Sequence, residues 1–236
     1  MLVRVCGSAL FSGILPPHAF EIHLTGPKKH CTMYDLHVHI IGHDHKPRDH
    51  SLTIDNYVLQ AELLNLKALG FVDHYPYRIR SIQKIREKIE YYKRHAPFPV
   101  LYGAEIYLPS TTRIPKYFDY SVGHVLRGYT LEEAIKMTKI KHIDILAHPC
   151  AYGAHCSEYQ DAVLENATIA LELSEKALLY FPQWLYEKAR DCHIPLVLGS
   201  DAHAPESMGF SQILERGLHW TPFHEIPFVE ERGWLC

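Results

Sequence analysis

Seven strand-like runs alternate with helix-like segments between about residue 33 and residue 217, and this alternation limits the fold more than any other feature of the sequence. The strand-like runs span residues 32–40, 71–75, 99–108, 119–126, 144–149, 168–174 and 195–203. Strands that alternate with helices along a chain are typical of parallel sheets, because each helix carries the chain back to the edge where the next strand begins. The alternation therefore predicts an α/β fold built on a parallel sheet or barrel.

The segments between the runs carry apolar residues at helical spacing. The first set is Ile54, Tyr57, Val58, Ala61 and Leu64, and the second is Ile82, Ile85, Ile89 and Tyr92. We expect the first helix to stop at Gly70, since glycine commonly follows the last helical turn. Thr130 and Glu133 have the spacing of a capping box and predict the start of a third helix, in which Glu132 precedes Lys136 by four residues.

The composition excludes several classes of function. A formal charge of -3 over 236 residues gives no general basic field, so nucleic acid is not an expected partner. The six cysteines form no C-x-x-C pair, which argues against a zinc ribbon and a disulfide-stapled secreted domain and favours the reducing cytoplasm. The first apolar run, "LVRVCGSALFSGIL", is too short to span a bilayer, so we expect no membrane partner.

Histidine is frequent, with 18 residues, and many histidines lie where a strand-like run ends. His37 and His39 are two apart on the first run, and Asp201 and His203 repeat this spacing on the seventh. Alternate strand residues point to one side of a sheet, roughly 6.6 Å apart along the strand. The second to fifth runs carry one such residue each, namely His74, Glu105, His124 and His148. In a barrel of parallel strands these side chains would meet at the carboxyl-end face.

Each of these residues has an ordinary structural explanation when taken alone. A single histidine near a strand end is more often a hydrogen-bonded core residue or a surface residue than a ligand, and Glu105 could pair with an arginine. However, six of the seven strand ends carry histidine or carboxylate groups. Such groups need a cation to neutralise them when they are buried together. The pattern as a whole therefore predicts a metal site.

The motifs resemble those of the PHP (polymerase and histidinol phosphatase) superfamily of metal-dependent phosphoesterases, in the same order and from Met33 to about Gly209. The matching segments are "DLHVHIIGHDH", "GFVDHYP", "YGAEIYL", "SVGHV", "ILAHP" and "GSDAH". They supply nine candidate metal ligands: His37, His39, His45, His74, Glu105, His124, His148, Asp201 and His203. His43 and Asp44 lie close enough to His45 to take its place.

The resemblance implies a distorted seven-stranded (β/α)7 TIM-like barrel with two to three divalent metal ions at the carboxyl ends of its strands. One ion would be held by His37, His39, Glu105 and Asp201, a second by His45, His74 and His203, and a third by Glu105, His124 and His148. Imidazole and carboxylate ligands suit zinc, manganese or iron. Glu105, Asp201 and His203 would serve catalysis through a metal-activated hydroxide that attacks phosphorus. Four arginines could bind the phosphate oxygens: Arg78, Arg80, Arg113 and Arg127.

The function implied is hydrolysis of a small phosphomonoester similar to histidinol phosphate. A protein tyrosine phosphatase or a nuclease of the same superfamily, an amidohydrolase-type C–N hydrolase and a non-catalytic metal-binding module remain alternatives. The expected domain spans residues 33–236, because the regular alternation begins at about Thr32 and residues 1–32 are rich in Pro, Gly and polar residues. Residues 1–32 are therefore predicted to be a peripheral extension. The expected partner is a phosphorylated small molecule, and the sequence does not indicate an oligomeric state.

Overall fold

The computed structural model describes residues 33–40, 50–76, 82–108, 113–125, 127–151, 156, 164 and 167–234. Several predictions concern residues outside these ranges and stay predictions. They are the extension 1–32, the ligand candidate His45 with its neighbours His43 and Asp44, and the phosphate-binding candidates Arg78 and Arg80.

Seven parallel strands form one sheet, in which each strand pairs with the next strand along the chain. They are β1 Asp35–Val38, β2 Leu69–Tyr75, β3 Val100–Leu108, β4 Tyr120–Val125, β5 Ile145–Ala147, β6 Ala170–Ser174 and β7 Leu196–Gly199. The first and last strands meet where Val38 forms a parallel bridge with Ala202 and the His39 N–H donates to the Ala202 carbonyl at 2.8 Å. The sheet is therefore a nearly closed barrel, which confirms the predicted α/β barrel fold.

Six α-helices lie in the described residues. They are α1 His50–Leu63, α2 Ile82–His95, α3 Leu131–Lys141, α4 Gln183–Asp191, α5 Ser211–Glu215 and α6 Pro227–Glu231. The predicted helices correspond to α1, α2 and α3, and α1 buries Ile54, Tyr57 and Ala61 against the barrel. The capping box is confirmed, since the Glu133 N–H donates to Thr130 Oγ1 at 3.1 Å and the Thr130 N–H donates to the Glu133 carboxylate at 2.8 Å.

The prediction that Gly70 ends the first helix is wrong. Helix α1 ends at Leu63, and Gly70 lies inside β2. The reason is a close approach inside the barrel: the Tyr120 side chain crosses the interior, and its hydroxyl donates to the Leu36 carbonyl at 2.7 Å. A side chain at Gly70 or at Gly103 would overlap the Tyr120 side chain. These glycines therefore make room for a buried tyrosine.

The C-terminal tail, the segment that follows Trp220, packs across the amino ends of the strands. The Thr221 N–H donates to the carbonyl of Leu196, the first residue of β7, at 2.8 Å, and the Tyr34 hydroxyl donates to the Thr221 carbonyl at 2.7 Å. Phe228 stacks on Tyr120 with ring centroids 6.0 Å apart. This end of the barrel is covered by the chain itself, so the candidate site lies at the opposite end.

Candidate metal centre

Glu105, on β3, lies at the centre of the polar cluster and is 1% exposed. Imidazole nitrogens of five histidines lie 2.7–3.7 Å from its carboxylate oxygens. These histidines are His37, His39, His74, His124 and His148. The barrel register explains part of the convergence, because His74 on β2 is paired directly with Glu105. One buried carboxylate thus faces side chains from four other strand ends.

His37 and His39 come from the end of the first strand and are both buried. Their Nε2 atoms lie 3.0 Å apart, so the two rings converge as the alternate spacing of a strand predicts. His37 Nε2 is 3.7 Å from Glu105 Oε1, and His39 Nε2 is 3.5 Å from Glu105 Oε2. Both imidazoles therefore point their Nε2 atoms to the same small volume beside Glu105.

Asp201 and His203 lie just after β7, in the turn that follows Gly199. His39 Nε2 is 3.4 Å from Asp201 Oδ1, and the rings of His39 and His203 stack with centroids 4.3 Å apart. His203 Nδ1 is 2.9 Å from the carbonyl oxygen of Asp201. Since a carbonyl can only accept, Nδ1 carries the hydrogen, and Nε2 of His203 keeps the lone pair that a metal would need.

Three trios of side chains in the described residues have ligand atoms within 4.8 Å of one another. They are His37 with His39 and Glu105, His39 with His74 and His203, and Glu105 with His124 and His148. The first trio matches three of the four residues predicted for one ion, and the third matches its predicted set in full. The second contains His74 and His203 as predicted, with His39 as its third member, while His45 lies outside the described residues.

The donor set suits metal ions. An ion with ligands at about 2.1 Å requires donor atoms no more than about 4.2 Å apart, and the distances among His37, His39 and Glu105 are 3.0, 3.5 and 3.7 Å. Nδ1 of His39 is buried without a hydrogen-bond partner. The trios contain no cysteine, so nitrogen and oxygen donors predominate, as zinc, manganese and iron sites use. The residues therefore fit a site for divalent cations.

The ionisation of the cluster favours cation binding. Burial acts to raise the pKa of Glu105, but hydrogen bonds from the surrounding histidines hold it well below its usual range. The pKa of Asp201 is also lowered, because its hydrogen bond with His39 and nearby positive charges outweigh burial. Burial lowers the pKa of His39 to about 3. The two carboxylates are therefore ionised and His39 is neutral at pH 7, which are the forms that bind metals.

Glu172, on β6, contacts the cluster although the sequence motifs do not indicate it. It is 1% exposed, and its Oε1 lies 2.6 Å from Nδ1 of His37. Its Oε2 accepts the backbone N–H of His148 at 2.8 Å. Burial acts to lower the pKa of His37, but the charges of Glu172 and Glu105 raise it well above its ordinary value. Glu172 thus orients His37 so that Nε2 points to Glu105, as carboxylates do behind metal-bound histidines.

Gly199 is required for this arrangement. A side chain at Gly199, the last residue of β7, would overlap both the Glu172 carboxylate and Cβ of His37. The only signal for Glu172 in the sequence is a glutamate inside the apolar strand run "ALELS". Such a residue must find a partner when it is buried, yet the run does not reveal which one.

Asp35 connects the first motif to the turn that carries Asp201. Its Oδ1 accepts the backbone N–H of His37 at 3.1 Å and that of Ser200 at 3.0 Å. Burial raises the pKa of Asp35 to about 6. Asp35 therefore fixes the backbone on both sides of the site, although it lies outside the predicted ligand set.

The predicted phosphate-binding arginines in the described residues do not reach the cluster. Arg113 lines a cavity of about 460 Å³ together with Asp144 and Arg232, near the amino end of β5. Arg127 follows β4 and is exposed. Neither forms a hydrogen bond or ion pair with a described residue of the cluster, so their role in substrate binding stays a prediction.

Cys150 and Cys156 form a disulfide with Cα atoms 5.6 Å apart. The scattered cysteine spacing argues against a disulfide-stapled secreted domain and does not indicate this bridge. The bridge begins two residues after His148, and the Cys156 sulfur lies 3.6 Å from the Pro149 carbonyl. The predicted cytoplasmic location stays a prediction.

No protein-family model and no curated protein matches the sequence. A chain of archaeal ribonuclease P, solved by cryo-EM with mature tRNA, is 15% identical with a TM-score of 0.53, and the match covers 84% of this chain and 88% of that chain. PsfC from Pseudomonas syringae is 20% identical with a TM-score of 0.46, over 75% of this chain and 78% of that chain. The likeness to the ribonuclease P chain is a likeness of fold.

The N-isopropylammelide isopropylaminohydrolase from Burkholderia multivorans is 8% identical with a TM-score of 0.45, over 77% of this chain and 60% of that chain. None of the three likenesses assigns an activity to this chain. Among the described helices, none has both the length and the apolar composition that a bilayer crossing requires.

Proposed function

We propose that the protein is a metal-dependent phosphoesterase of the PHP type that hydrolyses a small phosphomonoester. The observation that supports this best is the convergence of three candidate ligand trios on or beside Glu105, at the carboxyl-end face of the barrel. The order of the motifs along the chain supports the same family. A site of this kind, with imidazoles and carboxylates from separate strands, is typical of metal-assisted hydrolysis.

The residues of the chain have distinct roles in this proposal. Glu105 belongs to two of the trios and would hold two ions next to each other. Asp201, whose pKa is lowered, supplies a permanent negative charge at the entrance of the site. Glu172 holds one hydrogen of His37 on Nδ1, so a metal ion would displace the other hydrogen from Nε2. The Asp201 carbonyl holds the hydrogen of His203 on Nδ1 and leaves its Nε2 as the ligand atom.

When bound, divalent ions would supply the Lewis acidity that makes water a nucleophile near neutral pH and that neutralises phosphoryl oxygens. No side-chain nucleophile is needed for such chemistry. Ligand identity favours zinc, manganese or iron. The absence of a large insertion in the sequence between the seven runs favours a small substrate over the nucleic acid of a nuclease.

The proposal is tested with p-nitrophenyl phosphate. Protein loaded separately with zinc, manganese or iron should hydrolyse it steadily, lose the activity after chelation and regain it when the same ion is restored. A parallel screen should compare phosphorylated metabolites, a phosphotyrosine peptide, single-stranded DNA and amide substrates. Turnover of amides without turnover of any phosphate ester would show a C–N hydrolase, and metal binding without any turnover would show a non-catalytic module. Either result contradicts the proposal.

A further inference from the structure

Lys176 lies two residues after β6 and points to the candidate metal centre. Its Nζ is 3.1 Å from Asp201 Oδ2 and 3.4 Å from His203 Nδ1. The Lys176 side chain is 44% exposed, whereas the Asp201 side chain is 6% exposed. The ammonium group therefore lies at the boundary between the buried ligands and the solvent, where a substrate would enter.

We propose that Lys176 is a substrate-binding residue, whose ammonium group binds an oxygen of the phosphoryl group at the entrance of the metal centre. This inference rests on the proposed function. It assigns phosphate binding to Lys176, which follows β6, and not to the arginines predicted from the sequence.

The two oxygens of Asp201 face different neighbours. Oδ1 lies 3.4 Å from His39 Nε2 and 3.6 Å from His203 Nδ1, on the side of the cluster. Oδ2 lies beside Lys176, on the side of the solvent. Asp201 can therefore offer Oδ1 to an ion and hold Lys176 with Oδ2, which places the lysine at the edge of the ligand set.

Lys176 has hydrogen-bond donors left for a substrate. An ammonium group carries three N–H donors, and one of those of Lys176 donates to Asp201 Oδ2. His203 Nδ1 cannot accept a second, because its own hydrogen is donated to the Asp201 carbonyl. Two donors of Lys176 are thus available, and the compact charge on a flexible chain suits a phosphoryl oxygen.

Charge balance supports an anion at this place. The buried carboxylates at this end of the barrel are Glu105, Glu172, Asp201 and Asp35. Three divalent ions would exceed their combined negative charge, and Lys176 adds a further positive charge. Divalent ions and the ammonium group of Lys176 would repel each other across the site unless an anion lay among them. A phosphate ester dianion provides that charge, while a neutral amide does not.

The alternative is that Lys176 only balances Asp201, as exposed ion pairs do elsewhere at little gain in stability. Lys136 offers a matched control, because its Nζ lies 2.5 Å from the Glu132 carboxylate on α3 and makes the same kind of pair away from the site. The proteins to compare are therefore Lys176→Met, Lys176→Arg and Lys136→Met, each loaded with the same metal.

Binding of inorganic phosphate by calorimetry, KM and kcat for p-nitrophenyl phosphate, and metal content should be measured in parallel. We expect Lys176→Met to weaken phosphate binding and raise KM by about ten-fold, the effect of one hydrogen bond to a charged group, with unchanged metal content. Lys176→Arg should recover part of the phosphate affinity, and Lys136→Met should match the wild type.

Unchanged phosphate affinity in Lys176→Met would overturn the inference, and so would a loss of metal in proportion to the loss of phosphate binding. A wild-type protein that binds no phosphate would overturn it as well. Failure of the proposed function gives a different result. In that case the wild type binds phosphate in a Lys176-dependent manner but hydrolyses no phosphate ester.

Discussion

At the amino end of the barrel, the partly buried carboxylate of Asp144, whose side chain is 13% exposed, is balanced by groups of the chain itself. It accepts the N–H of Ser121 at 2.8 Å and the Ser121 hydroxyl at 2.9 Å, and it pairs with Arg232 at 2.8 Å. Burial nevertheless raises its pKa. The carboxylate of Glu105, at the carboxyl end, has no arginine or lysine among its ion-pair partners in the described residues and faces imidazoles instead.

The difference between the two ends indicates what each end is for. Asp144 receives hydrogen bonds and a permanent positive charge, and the neighbouring surface is covered by Phe228 and the rest of the C-terminal tail. The carboxyl end instead gathers ionised Glu105 and Asp201 with histidines that need an additional cation to neutralise them together. Groups of the chain balance the carboxylate at the amino end, whereas the cluster at the carboxyl end could hold metal ions.

Glu105→Gln should have the largest effect on the carboxyl end of the barrel. The amide removes the charge that two trios share, so we expect both metal content and activity to fall, the activity by more than about 100-fold, since even residues behind the ligands usually cost 10–100-fold. Elemental analysis and the rate with p-nitrophenyl phosphate measure the two effects. An active Glu105→Gln protein with undiminished metal would show that Glu105 does not join two ions.

The loop after the first motif offers a second large effect. We expect His45→Ala to reduce activity by several powers of ten more than His43→Ala, because the resemblance assigns His45 to the ion held by His74 and His203. His39 also completes that trio in the described residues. Equal and mild losses for the two variants would leave His39 as the third ligand and remove His45 from the set.

Glu172→Gln should have a smaller but selective effect. The amide can still accept a hydrogen bond, but it does not hold the hydrogen of His37 on Nδ1 as firmly as a carboxylate 2.6 Å away. We expect metal affinity to weaken by about 10–100-fold, as measured by competition with a fluorescent chelator. Metal affinity equal to that of the wild type would mean that Glu172 only satisfies buried hydrogen bonds.

Asp144→Asn, at the amino end of the barrel, should lower stability and leave metal binding unchanged. Loss of the pair with Arg232 should lower the free energy of unfolding by about 1–3 kcal/mol, as measured by denaturant unfolding. Metal content and phosphatase rate should stay at the wild-type level. If Asp144→Asn lowered metal content as much as Glu172→Gln does, the two ends would not differ in function.

The sequence was sufficient to predict the barrel and most of the cluster. The strand-end positions of His37, His74, Glu105 and Asp201 follow from the pattern, because the carboxyl ends of parallel strands open onto one face. Eight of the nine predicted ligands lie in the described residues, and each lies close to another member of the cluster. The recurrence of histidine and carboxylate residues near the ends of successive strand-like runs therefore predicts the cluster.

The residues that support the cluster were not predictable in the same way. Glu172 is one polar residue in an apolar run of the sequence. Its contact with His37 forms because the sheet curves and because Gly199, which has no side chain, leaves room for the Glu172 carboxylate beside His37. Lys176 lies in a loop where lysine is ordinary. Local propensity places Gly70 at a helix end, because it cannot show that the Tyr120 side chain lies against Gly70 inside the barrel. These are contacts between residues distant in sequence.

The metal stoichiometry of the wild-type protein tests most directly whether the carboxyl end of the barrel is built for ions. Protein incubated with zinc, manganese or iron and then freed of unbound metal should retain two to three equivalents by elemental analysis, and Asp144→Asn should retain the same number. Less than one equivalent for every one of the three metals would contradict the interpretation of the histidine and carboxylate cluster as a metal centre.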